Sequence, residues 1–206
     1  AYRLRVGATR HEARKEAVRL MGLVGLPDPE RRAREFPHQF SGGMNQRAMI
    51  ALAVAGNPRL LIADEATTAL DVTLQAQILD LIGALRDEMG MGVLFVTHDL
   101  GLVAQTADRV TVMYAGRVAE TNTVHGLFAA PRHPYAGGLL AALPQPGRQA
   151  GQQLHTIPGT VPPIDALPRG CAFAPRCGQA SGLCAHAHPA PAAGLACHHP
   201  VQEAAE

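Results

Sequence analysis

The sequence predicts an α/β fold, with a parallel sheet under helical cover and a smaller irregular tail. Three observations carry that prediction. Two short apolar runs, residues 60–63 and 93–97, flank a segment with helical periodicity. Strand, helix and strand joined by short links, with apolar strands, mean parallel pairing. The 206 residues are 47% hydrophobic and only 17% charged, which gives a globular balance with ample material for a core. From Pro131 onward the texture changes: most of the prolines and all four cysteines lie there, and no long periodic segment remains.

In chain order, residues 11–24 form an amphipathic helix, because Ala13, Ala17, Leu20, Met21 and Val24 recur at spacings of three and four. Gly25, Pro27 and Pro29 end it. A polar stretch rich in arginine follows (Arg31, Arg32, Arg34). Ser41 then stands at an N-cap position ahead of a helix over 46–54, closed by Asn57 and Pro58. The run 60–63 reads as a buried strand ending in Asp64 and Glu65. Asp71 caps a helix whose apolar stripe is Leu74, Ile78, Leu81, Leu85 and Met89. Gly90 and Gly92 break it before the second buried strand, 93–97, which ends at His98 and Asp99. After a short helix, residues 110–114 and 117–120 flank Ala115-Gly116 as a hairpin. Three regions result: 1–58 as a helical subdomain, 59–130 as the core, and 131–206 as an irregular extension.

Charge and composition narrow the function. The formal net charge is +1, which offers no general argument for nucleic acid or an anionic membrane. Residues 1–60 carry 11 basic and 5 acidic side chains, whereas 61–130 carry 3 and 9. Few aromatics interleave with the early arginines, so they read as a solvated helical face and not as a nucleic-acid surface. The longest nearly apolar run, 48–56, is about half of what a membrane helix needs. The first twenty residues hold six basic side chains and no apolar segment of the secretory kind, so a cytoplasmic chain is expected. Lys15, preceded by Arg14, is the only lysine; Gly-Lys-Ser/Thr, and with it a phosphate-cradling P-loop, does not occur. The first residue is Ala and not Met, and the expectation is that something upstream is missing.

Three short motifs carry candidate chemistry. In 60–71, LLIADEATTALD, an apolar strand delivers Asp64 and Glu65 to the carboxyl edge of a parallel sheet. There the first carboxylate can reach Mg²⁺ and the second can orient or deprotonate a water. In 41–47, SGGMNQR, a serine and two glycines at a helix start present backbone N–H groups to an anion. In FVTHDL, His98 follows a strand directly and can bond a phosphate or hold a water.

In this order and at these spacings, the motifs resemble those of ABC-type ATPases over at least residues 11–121. PHQFSGGMNQR and LLIADEATTALD are similar to the ATP-binding subunits of dipeptide and oligopeptide importers. The segments FAAPRHPYAGGLLAALP (128–144) and GCAFAPRC (170–177) are similar to the C-terminal extension of that branch. The resemblance implies the C-terminal portion of a P-loop-type ABC ATPase domain, with ATP and Mg²⁺ as ligands. Ser41, Gly42, Gly43 and Gln46 match the signature motif, which meets the nucleotide held by the opposite subunit of a head-to-tail dimer. Asp64 matches the Mg²⁺-associated aspartate, Glu65 the catalytic carboxylate, and His98 the switch histidine. Ala69, Leu70 and Asp71 match the loop that crosses the dimer interface.

Further implied partners are transmembrane permease subunits and, indirectly, an extracytoplasmic solute-binding protein. The implied location is the cytoplasmic face of the membrane, with peripheral attachment. Two positions depart from the pattern: Asn45 stands where arginine is common, and Ala66 where proline is usual.

Cys171, Cys177, Cys184 and Cys197 are separated by five, six and twelve residues. In a chain without a secretion signal, disulfides are disfavoured and metal binding gains ground, with Zn²⁺ or an iron–sulfur cluster as the occupant. Paired C-x₂-C spacing is absent, so free thiols and a structural zinc knot stay open. His186, His188, His198 and His199 lie nearby. The resemblance to peptide-importer subunits favours a [4Fe–4S] cluster on the four cysteines.

Two functions follow. The first is an ATPase subunit of a peptide importer, whose chain alone is expected to be inactive for want of the P-loop. The second is a P-loop-free, catalytically inactive module derived from such a subunit, which binds metal and serves interaction or regulation. A DNA-repair ABC ATPase is disfavoured by the importer-like tail and the lack of coiled-coil heptads.

Overall fold

The structure, a computed structural model, describes residues 7–66, 71–144 and 155–201. It divides into two compact units, Ala1–His98 and Asp99–Glu206.

In the first unit, α1 (Arg10–Leu23) opens on a reciprocal cap. The Thr9 hydroxyl accepts from the Glu12 amide at 3.3 Å, and the Glu12 carboxylate accepts from the Thr9 amide at 2.7 Å. The arginine-rich stretch is more regular than its composition suggested: Pro29 starts a single helical turn, α2 (Pro29–Arg32), and Pro37–Gln39 forms a 3₁₀ turn. Proline suits a first helical position because its missing N–H has no partner there in any case. Helix α3 (Gly42–Val54) begins directly after Ser41, whose hydroxyl accepts from the Met44 amide at 3.3 Å. It therefore starts earlier than the predicted 46–54. The two glycines sit in its first turn, and a Cβ on Gly43 would lie 3.1 Å from Leu74.

Strand β1 (Leu60–Asp64), helix α4 (Val72–Met89) and strand β2 (Gly92–Val96) form the predicted strand–helix–strand unit. The strands pair in parallel, from Leu60 opposite Gly92 to Asp64 opposite Val96. Asp71 caps α4, and Gly90, with φ of 61°, ends it in the left-handed region. The core joins Val24, Ile50, Val54 and Leu61 to Ile78, Ile82 and Leu85.

The expectation of buried strands is corrected on one point. Leu61 and Ala63 are buried, but Leu60 and Ile62 are 54% and 61% exposed, and Leu94 and Val96 are exposed as well. Alternate residues of a strand point to opposite faces, and among the described residues only one face of this two-stranded sheet is covered.

Arg47 ties the helices of this unit together. Its guanidinium donates to the Val24 carbonyl at 2.7 Å and to Gln77 Oε1 at 3.3 Å. Gly25 beside it has a φ of +72°, the left-handed region that favours glycine in this turn.

The second unit is built on an antiparallel hairpin. After helix α5 (Leu100–Thr106), β3 (Arg109–Tyr114) and β4 (Arg117–Thr123) pair around Ala115 and Gly116. Both turn residues have positive φ, 47° and 76°, as the favoured two-residue hairpin turn requires. The hairpin is longer than predicted because polar Thr121–Thr123 continue the ladder; Thr111 and Thr121 meet through their hydroxyls at 3.1 Å. It forms a two-stranded sheet of its own.

Helices α6 (Val124–Ala129) and α7 (Pro134–Ala141) follow, so the tail read as irregular begins with a regular element. Val112, Leu127 and Ala136 form one small core, and Tyr114, Ala172 and Phe173 form another. In the latter, Tyr114, Tyr135 and Phe173 meet edge-on or tilted, with ring centres 4.7–5.3 Å apart. Two turns of 3₁₀ helix and the short α8 (Gly182–His186) complete the described elements.

Glu120 is 1% exposed, and its carboxylate accepts from the backbone amides of Arg132 and His133, the latter at 2.7 Å. A buried carboxylate held by amide donors fixes the link between β4 and α7. Arg176 plays the same part for residues 157–158, donating to the Pro158 carbonyl at 2.8 Å, the Ile157 carbonyl at 3.1 Å and the Tyr114 hydroxyl at 3.3 Å.

Candidate functional site

The carboxyl ends of the two parallel strands bring together two of the residues that the sequence singled out, Glu65 and His98. Asp64 ends β1 and is exposed. Glu65, the next residue, takes φ of 46°, a left-handed conformation that non-glycine residues adopt at an energetic cost. Its amide donates to the Val96 carbonyl at the end of β2, at 2.9 Å. That bond continues the parallel ladder one step beyond the strand, and the left-handed turn then swings the side chain out of the strand path. Glu65 Oε1 comes to 3.2 Å from Nδ1 of His98, which leaves the end of β2 two residues past Val96. Both side chains are exposed. A carboxylate and an imidazole at this separation, open to solvent, can hold a water or pass a proton between them.

The signature segment stands at the start of α3. Ser41 and Gly42 are exposed, while Gly43 is buried. The serine hydroxyl is already used in capping, so what the segment offers an anion is its first-turn backbone N–H groups and the positive end of the helix dipole. Gln46, one turn on, reaches away from that end: its Nε2 donates to the Ala66 carbonyl at 2.5 Å. Asn45 donates through Nδ2 to the Pro37 carbonyl at 3.2 Å, so the residue that replaces a common arginine secures the 3₁₀ turn before the helix. Asp71 is used locally as well, accepting from the Leu74 amide at 2.9 Å. Ala69 and Leu70 lie outside the described residues.

Among the described residues, no three His, Cys, Asp or Glu side chains converge on one point. Mg²⁺ does not need such a cage: it takes one or two carboxylates and completes its shell with water and substrate phosphates, and the exposed Asp64 at a strand end suits that mode.

For the cysteine tail the result differs. All four thiols are free, and Cys184 is buried. Burial pushes the Cys177 and Cys197 thiols above their ordinary values, and neighbouring cysteines add to the rise. Cys171 donates its amide to the Cys184 carbonyl at 2.8 Å, with Gly170 packed so closely that a Cβ there would meet that same oxygen. Backbone packing thus draws the thiol-bearing segments together, but a zinc or iron–sulfur ligand set does not result. The cluster expected from the sequence is not supported by this arrangement.

Sequence reasoning missed the bonds from Gln46 to Ala66, from Arg47 to Val24, and from Arg176 to Ile157 and Pro158. Each is a long polar side chain reaching a backbone carbonyl on a different element, and no local pattern announces such a partner. Glu120 was missed for the same reason, since an acidic residue in a polar strand reads as solvated.

Residues 2–68 match the family described as ABC transporter, and residues 119–184 match the Oligopeptide/dipeptide transporter, C-terminal region. A protein of Brucella melitensis biotype 1, named for peptide import and ATP binding, is 55% identical over 202 residues, which is 96% of this chain and 60% of the relative. The oligopeptide transport ATP-binding protein OppD of Bacillus subtilis is 55% identical over 168 residues, covering 82% of this chain and 47% of its own. Among solved structures, CbiO1 from Clostridium perfringens, part of the ABC transporter complex CbiONQ, aligns with a TM-score of 0.53 at 28% identity. That alignment covers 61% of this chain and 49% of CbiO1. The chain therefore spans about half to three-fifths of the length of the relatives it matches.

Proposed function

Because the chain belongs to the ATP-binding subunits of ABC-type peptide importers, we propose that it forms the catalytic-carboxylate and signature portion of an ATPase that powers uptake of dipeptides or oligopeptides. The observation that carries this reading is the meeting of Glu65 and His98 at 3.2 Å, on the ends of adjacent parallel strands. A general base needs hydrogen-bond reach of the water it activates, and a phosphate-sensing imidazole needs to stand beside that water.

In this reading, Glu65 orients and polarises the attacking water, and His98 holds the carboxylate's direction while donating toward the γ-phosphate. The backbone N–H groups at the start of α3, beside Ser41, Gly42 and Gly43, stabilise charge on a nucleotide that a second ATP-binding subunit presents across a head-to-tail interface. Asp64 would hold Mg²⁺, which when bound neutralises charge on the phosphate oxygens. Permease subunits would convert closure of the two ATP-binding subunits into transport, with a solute-binding protein supplying the peptide. Peripheral attachment to the cytoplasmic face fits such a role. No helix among the described residues is long and apolar enough to cross a membrane.

A second reading is an inactive module derived from such a subunit that serves interaction or regulation; it differs from the first in predicting no turnover.

The decisive experiment joins this chain to the part of the Brucella melitensis relative that it does not match and measures ATP turnover of the purified chimaera. Turnover that disappears on Glu65→Gln supports the ATPase reading. A folded chimaera that binds ATP without turnover favours the regulatory module.

A further inference from the structure

Gln46 was expected to belong to the nucleotide-binding set, yet its amide group is committed within its own chain. Nε2 donates to the Ala66 carbonyl at 2.5 Å, across twenty residues of sequence and at a partly buried position. Ala66 directly follows Glu65, which is held in the left-handed region at φ of 46°. The backbone around the carboxylate is therefore pinned from two sides. On one side the Glu65 amide donates to Val96 on β2 at 2.9 Å; on the other the Ala66 carbonyl accepts from Gln46 on α3. Between these two anchors the side chain of Glu65 reaches His98.

From this arrangement we infer that Gln46 is a positioning residue for Glu65. Its hydrogen bond offsets the strain of the left-handed turn and sets the direction in which the carboxylate leaves the strand. Because Gln46 lies one turn into the helix that Ser41 caps, the anion-facing start of α3 and the aim of Glu65 are mechanically joined through one rigid helical turn. A displacement of α3 pulls on the Ala66 carbonyl and moves the carboxylate relative to His98. The strand-end turn accounts for the unusual load on this glutamine: Ala66 supplies no ring of the kind a proline would use to restrict the turn, so the external hydrogen bond does that work. This inference deepens the proposed function, and its catalytic meaning rests on that reading; the geometric claim does not.

The test compares Gln46→Met, which keeps length and removes the donor, with Gln46→Lys, which restores a donor of similar reach. In the 206-residue chain, NMR follows hydrogen exchange of the Glu65 amide and the ring resonances of His98. Gln46→Met is expected to speed Glu65 exchange by about tenfold and to shift the His98 ring signals, since a lost hydrogen bond is worth about a factor of ten. Gln46→Lys is expected to return both toward the parent. Unchanged exchange and unchanged His98 signals in a folded Gln46→Met chain would overturn the positioning role.

In the chimaera, Gln46→Met is expected to lower kcat while KM for ATP stays near the parent value. Local loosening combined with turnover that is insensitive to Glu65→Gln leaves the geometric role of Gln46 standing and removes the catalytic assignment of Glu65. Local loosening with kcat unchanged, while Glu65→Gln abolishes turnover, removes the positioning role and leaves the assignment of Glu65 intact.

Discussion

Oε1 of Glu65 and Nδ1 of His98 lie 3.2 Å apart although 33 residues separate them, because parallel strands β1 and β2 end in register at Asp64 and Val96. If the two groups act on one water, their contributions are not independent. In the chimaera, Glu65→Gln and His98→Ala are each expected to lower ATP turnover, by about 10²–10⁴-fold for the carboxylate. The double variant should be little worse than Glu65→Gln alone, as for residues that work as a unit. Steady-state turnover of the four proteins decides it; losses that multiply in full would mean separate roles.

His133 links stability of the second unit to pH. The ring is 3% exposed and accepts from the Tyr135 amide at 3.0 Å through Nδ1. Burial holds its pKa below the ordinary value, more strongly than the Glu120 carboxylate raises it. The folded state therefore prefers the neutral ring. Its contribution is complete above the unfolded value of about 6.5 and is lost as pH falls through the lower folded value. Thermal unfolding followed from pH 8 to pH 5 should show a falling Tm on the acid side. His133→Gln, which keeps an acceptor for the Tyr135 amide, should make that fall shallower; an unaltered slope would assign the pH response elsewhere.

Arg176 should be hard to replace. Its guanidinium serves two carbonyls and a phenol at once and lies over the Tyr114 ring, 5.9 Å from its centre. Truncation in Arg176→Ala leaves the Ile157 and Pro158 carbonyls without that partner and is expected to cost about 1–3 kcal/mol in urea unfolding. Arg176→Lys should recover only a minor part, because a single ammonium cannot reproduce the planar fork. Faster proteolytic cleavage near residues 157–158 would accompany the loss.

The thiols of Cys177 and Cys197 should be sluggish nucleophiles. Burial pushes both upward from the ordinary thiol range, so little thiolate is present near neutral pH. Iodoacetamide at pH 8 should modify them several-fold more slowly in the folded chain than in urea, as read by peptide mass spectrometry. Stoichiometric Zn²⁺ should leave the Tm of the reduced chain unchanged. A clear rise in Tm with zinc would show that the cysteines close around a metal in solution, contrary to the arrangement described.

Much of the first unit was legible from local patterns. The caps at Ser41 and Asp71, the α4 stripe through Ile78 and Leu85, and the two strands ending at Asp64 and just before His98 follow from side-chain periodicity and capping chemistry. The carboxylate pair and the histidine were legible because strand ends place their next residues at one sheet edge. The half-exposed strands were not: an apolar run has the same composition whether one face or both faces are covered. The start of α3 was misplaced because Gly42 and Gly43 look like a turn until burial of Gly43 against Leu74 is known. In the tail, four cysteines suggested ligands, but thiol spacing along a chain carries no information on where the sulfurs point.

The amino-acid sequence by itself determined the strand–helix–strand unit, the positions of its caps and the identity of the groups at its carboxyl edge, because all of these depend on interactions within a few residues. Tertiary structure alone decided which of those groups meet and what holds them. It turned Glu65 toward His98 through a left-handed backbone, tied that turn to α3 through Gln46, and left the cysteines packed without forming a ligand set. Such outcomes depend on contacts between side chains and backbone groups far apart in the chain, and only the packing of one element on another brings them within hydrogen-bonding distance.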